Sequence, residues 1–241
     1  MTYAYAYDAA PAKGPGVRRG QMKKIGIILD VDGTLWDSTD GVAASWEACR
    51  RAHIPEMAQA ITGETVRSVF GKTMAEIRDI LLPFLPMPRR ESVMQEMMSY
   101  EVEYLDRYGA KPYPGVEETM RALSGEGYRL FIVSNCQKGY IETFLKWSDT
   151  ADIVTDHICF EDTHRPKNES IELCIRRNAI ERPVYVGDIQ ADLTAAKKAG
   201  SEFIYASYGF GDIDCEKEGV ESLGSFSELP EAIHVLEARN P

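Results

Sequence analysis

Five short apolar runs constrain this chain most. They are residues 24–29 (KIGIIL), 128–133 (YRLFIV), 156–160 (DHICF, the least apolar), 183–186 (PVYV) and 202–206 (EFIYA). A short run that stays apolar instead of alternating reads as a strand buried on both faces. Helical spacing appears between the later runs, at 115–123, 140–147, 168–177 and 191–199, and again at 229–238. Pro114 precedes the first of these, where its fixed φ suits a first turn, and Gly200 follows 191–199 as a good C-cap. Strands alternating with helices predict a parallel sheet joined by right-handed crossovers. The expected class is α/β, with a Rossmann-like parallel sheet at its core.

The stretch 37–112 breaks this rhythm. Its apolar spacing is helical, with helices expected at 38–51, 64–69, 74–82 and 91–108. Thr73 and Glu76 form a capping box at the start of the third. In the fourth, Val93, Met94, Met97, Met98, Val102 and Leu105 fall near one face, which reads as a core stripe. An all-helical cap domain is therefore expected at 37–112, inserted into a core made of 22–36 and 113–241. Residues 1–21, rich in Ala, Gly, Pro and Tyr, read as a mobile arm, with Met22 a candidate start.

Composition removes several classes of function. With 241 residues and 44% hydrophobic content the chain can bury a large core. Its net charge is -11, and its basic residues are scattered among acids, which argues against nucleic acid as a partner. No run of ~18 apolar residues predicts a membrane span. Residues 1–21 lack the basic start and apolar stretch of a secretory signal. Cys49, Cys136, Cys159, Cys174 and Cys215 are odd in number and never in C-x-x-C spacing, so neither a disulfide framework nor a structural zinc site is expected. A cytoplasmic protein, monomer or homodimer, is the expectation. If such an acidic chain takes an anionic substrate, its site needs a cation or a cluster of N–H donors.

Chemistry concentrates at run ends. Asp30-Val31-Asp32-Gly33-Thr34-Leu35-Trp36-Asp37 follows the first run directly. Two carboxylates at i and i+2 leave a strand end in nearly the same direction. Like charges that close push one pKa up, which yields a nucleophile in Asp30 and a proton carrier in Asp32. Gly33 permits a tight turn whose N–H groups, with Thr34 beside them, would meet an anion. Gly187-Asp188-Ile189-Gln190-Ala191-Asp192 follows another run and opens a helix. Ligands in open α/β sheets bind at the carboxyl ends of strands, so these acids should share one edge. Oxygen ligands of this kind suit Mg2+. Ser134 and Asn135 end a third run, and Lys167 precedes a helix, where they could hold phosphate. Four carboxylates (Asp30, Asp32, Asp188, Asp192) against one Mg2+ and Lys167 leave a neutral site if Asp32 is protonated.

On these residues the chain resembles the haloacid-dehalogenase-like superfamily. DVDGTLWD resembles its first motif, Ser134-Asn135 the second, Lys167 the third and GDIQAD the fourth, across residues 23–240 with a helical cap between the first two. The third motif departs from the usual Lys-Pro-x-Pro, reading His164-Arg165-Pro166-Lys167, which leaves Arg165 as a second candidate. The resemblance implies that Asp30 forms an aspartyl-phosphate, and that Asp32 protonates the leaving oxygen and later activates water. It implies Mg2+ held by the Asp30 and Asp188 carboxylates and the Asp32 carbonyl, with Asp192 supporting the metal shell and Lys167. An acid at position 32 is unlike the superfamily's dehalogenases and P-type ATPases. The expected activity is a phosphatase acting on a small phosphorylated metabolite, similar to phosphoglycolate phosphatases. A β-phosphoglucomutase-like sugar phosphomutase is the alternative. A receiver-type signalling module also uses an aspartate, magnesium and a lysine, but is about half as long and lacks a cap. Val69-Phe70-Gly71-Lys72-Thr73 resembles the family's substrate-specificity loop, with Lys72 expected to reach the non-phosphate end of the substrate.

Overall fold

The structure is a computed structural model and describes residues 23–239. The arm expected at 1–21, and Met22, lie outside the described residues. The chain begins with β1 (Ile25–Leu29) and a two-residue strand β2 (Trp36–Asp37). Helices α1 (Thr39–His53), α2 (Gly63–Arg67), α3 (Met74–Leu81) and α4 (Met87–Tyr108) follow, then β3 (Lys111–Pro112). Next come α5 (Val116–Gly125), β4 (Arg129–Val133), α6 (Tyr140–Trp147), β5 (Val154–Ile158), α7 (Phe160–Thr163) and α8 (Lys167–Arg177). The chain ends through β6 (Arg182–Gly187), α9 (Gln190–Lys198), β7 (Glu202–Ala206), α10 (Cys215–Glu218), β8 (Glu221–Leu223) and α11 (Leu229–Arg239).

Six strands form one parallel sheet in the order β5-β4-β1-β6-β7-β8. Successive residues of β1 serve opposite faces. Ile25, Ile27 and Leu29 pack into one apolar cluster with Met120 and Leu123 of α5 and Ile233 of α11. Ile28 joins the other cluster, with Ile171 and Cys174 of α8 and Leu193 and Ala196 of α9. Both faces are covered, which is why Ile25–Leu29 carries no polar side chain. Each such fully buried side chain contributes roughly 1.5–3 kcal/mol.

The helices α1–α4 lie between Asp37 and Lys111, and there the outgoing and returning chain pair antiparallel: Trp36 opposite Pro112, Asp37 opposite Lys111. Val42 and Trp46 of α1, Ile77 of α3, and Val93 and Met97 of α4 extend the first cluster away from the sheet. The strong capping box at Thr73 is present.

Three elements differ from expectation. β5 runs two residues earlier than the apolar run, because Cys159 and Phe160 turn into α7. β8 pairs with β7 although Leu223 is its one buried residue, too little to show as a run. α4 starts at Met87, with Pro88 in the first turn, where its missing N–H costs nothing.

Candidate active site

β4, β1 and β6 are adjacent and parallel, so the residues after them meet at one edge. These are Ser134, Asp30 and Asp188. The Asp30 amide donates to Val186 O at 2.9 Å, extending the β1–β6 ladder by one residue and aiming the carboxylate. Lys167 is the first residue of α8, behind Pro166. Its Nζ sits 3.0 Å from Asp30 Oδ1 and 2.5 Å from Asp192 Oδ1, and all three side chains are buried. Arg165, by contrast, is exposed and faces Glu169 at 3.6 Å. Lys167 is thus the cation of the site, despite its unusual surroundings in sequence.

Asp192 organises the edge. Its Oδ1 accepts from Lys167, and its Oδ2 accepts from the Asp188 and Ile189 amides at 3.2 Å each. Asp188 Oδ2 accepts the Phe210 amide at 2.8 Å. Ligand oxygens of Asp30, Asp188 and Asp192 lie within 4.8 Å of one another. Burial raises the pKa of Asp30 and Asp188; Asp192 and Asp32 add to the rise at Asp30, and Asp192 and Asp30 add to it at Asp188. Burial opposes the charge on Lys167, but Asp192 and Asp30 more than offset it, so its pKa lies well above the usual value. Three carboxylates therefore surround one ammonium, which leaves two negative charges uncompensated when all are ionised. A divalent ion with oxygen ligands fits that donor set and that charge.

Asp32 points elsewhere. Its Oδ1 accepts from Trp36 Nε1 at 3.1 Å, Ser38 Oγ at 2.6 Å and Tyr140 OH at 2.5 Å. Burial raises its pKa, and these three donors pull it back. Its carboxylate is outside the three-acid group, so any metal contact from Asp32 falls to its carbonyl, as the resemblance implies.

Two expectations about the first turn need correction. The Gly33 amide is spent on Trp36 O at 3.0 Å and the Thr34 amide on Val31 O at 3.2 Å, so neither is offered to an anion. The Thr34 side chain is buried, with its hydroxyl unpartnered among the described residues, and it is absent from the cleft wall. Among the described residues the amides left over at this strand end are those of Val31 and Asp32. Gly33 matters for space: at φ 79° it passes so close to Asp188 that a Cβ would lie 2.0 Å from Oδ2.

A cleft runs between the sheet edge and the helices, lined by Asp30, Asp32, Ser134, Asn135, Cys136, Tyr140 and Lys167 below, and by Trp46, Phe70, Gly71, Lys72, Met74, Ile77 and Glu101 above. Asn135 does not turn its amide to the open cleft: Nδ2 donates to Gly71 O at 2.9 Å, tying the α2–α3 loop down. Phe70 of that loop stacks on Phe210, centroids 5.1 Å apart. Lys72 lines the cleft while remaining exposed. Burial pushes the Cys136 thiol well above its usual value, which favours the neutral form over the thiolate.

Sequence reasoning missed Tyr140, Phe210 and Glu101. Tyr140 lies 108 residues from Asp32 on an apolar helix face, without a local signal. Glu101 had one: it occupies a buried position on the stripe with Met94, Met97, Met98 and Leu105, where an acid is out of place.

Comparison with known proteins bears on the family and the fold. A family model described as "Haloacid dehalogenase-like hydrolase" matches residues 27–206. A phosphoglycolate phosphatase from Aquifex aeolicus is 26% identical over 76% of this chain and 85% of its own. An N-acetylmuramic acid 6-phosphate phosphatase from Pseudomonas aeruginosa is 25% identical over 79% and 84%. Among solved structures, a haloacid dehalogenase-like hydrolase from Bacteroides fragilis is 25% identical, with a TM-score of 0.73 over 86% of this chain and 99% of its own. A predicted phosphoglycolate phosphatase from Haemophilus somnus, at 20% identity, superposes with a TM-score of 0.75 over 88% and 99% and shares the fold. The chain belongs to the haloacid dehalogenase-like hydrolase family.

Proposed function

We propose that this hydrolase is a magnesium-dependent phosphatase that cleaves a small phosphorylated metabolite through an aspartyl-phosphate on Asp30. The observation that carries the reading is the buried Lys167 ammonium shared by Asp30 and Asp192, with Asp188 completing three carboxylates. The Ser134 hydroxyl, the Lys167 ammonium and the spare Val31 and Asp32 amides would bind the phosphoryl oxygens. An Asp30 oxygen attacks phosphorus and the ester P–O bond breaks. Asp32 gives its proton to the departing oxygen, releasing the alcohol. Asp32 then takes a proton from water as the water attacks phosphorus, which frees phosphate and regenerates the Asp30 carboxylate. Trp36, Ser38 and Tyr140 hold Asp32 for both transfers. Mg2+, carried by Asp30, Asp188 and the Asp32 carbonyl with Asp192 behind them, would neutralise the charge of phosphate and acids together.

In the same reading residues 37–112 act as the cap domain over a core of 22–36 and 113–241, and closure of the Phe70–Lys72 loop excludes water. The described residues contain no helix long and apolar enough to cross a membrane. Five unpaired cysteines suit a reducing cytoplasm. Phosphate release across a metabolite panel tests the activity, with Asp30→Asn as the inactive control. Free phosphate as the product supports a phosphatase, whereas an isomerised sugar phosphate without phosphate release would identify a phosphomutase.

A further inference from the structure

Glu101 lines the cleft but has no part in the steps above. It is 2% exposed, and no lysine, arginine or histidine pairs with it among the described residues. A carboxyl so deeply buried normally has a cation beside it or surrenders its charge. Here its partners are neutral. Trp46 Nε1 donates to Oε2 at 2.6 Å. Gln137 faces it too, with an amide otherwise unpartnered among the described residues. Burial lifts the Glu101 carboxyl to about 8.

Its position relative to Asp32 gives it a use. Tyr140 stands between them: its hydroxyl donates to Asp32 at 2.5 Å, and both acids act on its phenol. Asp32 is the group that serves the leaving oxygen, so the carbon skeleton of the leaving group extends to this side of the cleft. There it meets Trp46, Met74, Ile77 and Glu101. A substrate hydroxyl or ammonium would supply the donor that lets Glu101 ionise, whereas a substrate carboxylate would be buried against it with no cation alongside. The cation of this wall, Lys72, is exposed at the rim and acts on Glu76.

We propose that Glu101 recognises a hydrogen-bond donor on the leaving group, so the substrate is the phosphate ester of a hydroxyl- or amino-bearing compound and not of a carboxylic acid. This rests on the phosphatase reading above. A buried polar group left without its partner makes a site reject analogues lacking the matching group, here by ~10- to 100-fold.

The test compares kcat/KM of the full chain with Mg2+ on four esters. These are p-nitrophenyl phosphate, glycerol 3-phosphate (hydroxyls), O-phosphoethanolamine (ammonium) and 2-phosphoglycolate (carboxylate). At least one donor-bearing ester should exceed 2-phosphoglycolate by ~10-fold or more. Glu101→Leu should bring that ratio down to near one. Glu101→Gln separates the two sources, retaining preference for hydroxyls and losing preference for ammonium. Turnover of p-nitrophenyl phosphate with 2-phosphoglycolate equal to or better than both donor esters overturns the inference alone, as does an unchanged ratio in Glu101→Leu. If circular dichroism finds that variant unfolded, the wild-type ratio and Glu101→Gln decide. No phosphate from any ester overturns the phosphatase reading and this one with it.

Discussion

Asp30→Asn should stabilise the metal-free protein while ending its activity. Asp30 is 3% exposed. Burial, the largest influence, lifts its carboxyl from 3.8 to about 7; Asp192 and Asp32 add to the rise and Lys167 opposes it. The folded state thus holds the proton more tightly than the unfolded chain. Ionisation costs the fold stability, progressively as pH rises from 3.8 towards about 7. At ~1.36 kcal/mol per pH unit that interval amounts to about 4 kcal/mol. Asparagine is uncharged in both states and escapes this cost. In chelator at pH 8, urea unfolding should find the variant more stable by about 4 kcal/mol, and near pH 4 by under about 1 kcal/mol. Adding Mg2+ should narrow the gap, because wild type gains about 2.7 kcal/mol at a hundred times its dissociation constant and the variant gains less. A variant less stable than wild type in chelator at pH 8 would mean that the Lys167 attraction outweighs burial. The site would then not be over-supplied with negative charge, and the fit to a divalent ion would lose its basis.

Lys167→Met removes the cation shared by Asp30 and Asp192. It should cut phosphate release by ~10³-fold or more and destabilise the metal-free protein by about 3–5 kcal/mol, the reverse sign to Asp30→Asn. Activity within ~10-fold of wild type would contradict its role. Tyr140→Phe deletes a donor that holds the Asp32 pKa down, so the limb of the pH–rate profile that Asp32 sets should move to higher pH. An unmoved profile would mean that Asp32 is not the titrating group. Phe70→Ala removes the stack on Phe210, worth about 0.5–1.5 kcal/mol beyond burial, and should raise KM several-fold. An unchanged KM would remove this stack from cap closure.

The parts of the fold legible in sequence were those written locally. β1, β4, β6 and β7 announce themselves because strands covered on both faces must be apolar throughout, as Ile25–Leu29 is. Asp30 and Asp188 stand out because each ends such a run. β8 stayed hidden, since an edge strand with one buried residue has no pattern to read. Amide use in the first turn was equally invisible: the motif supplies Gly33, but only the folded chain reveals that Trp36 O takes its N–H. Tyr140 and Phe210 reach the site across long sequence separations, through packing that no periodicity encodes. Glu101 was legible as an anomaly, a charge on the Met-rich stripe of α4, and its meaning came only with Trp46 and Tyr140 around it.

Acid quench of the enzyme during turnover, followed by peptide mass spectrometry, addresses the nucleophile itself. Phosphate should appear on the peptide carrying Asp30, in wild type with Mg2+, and disappear in chelator and in Asp30→Asn. Phosphate on a different residue, or steady turnover in Asp30→Asn, would contradict the account.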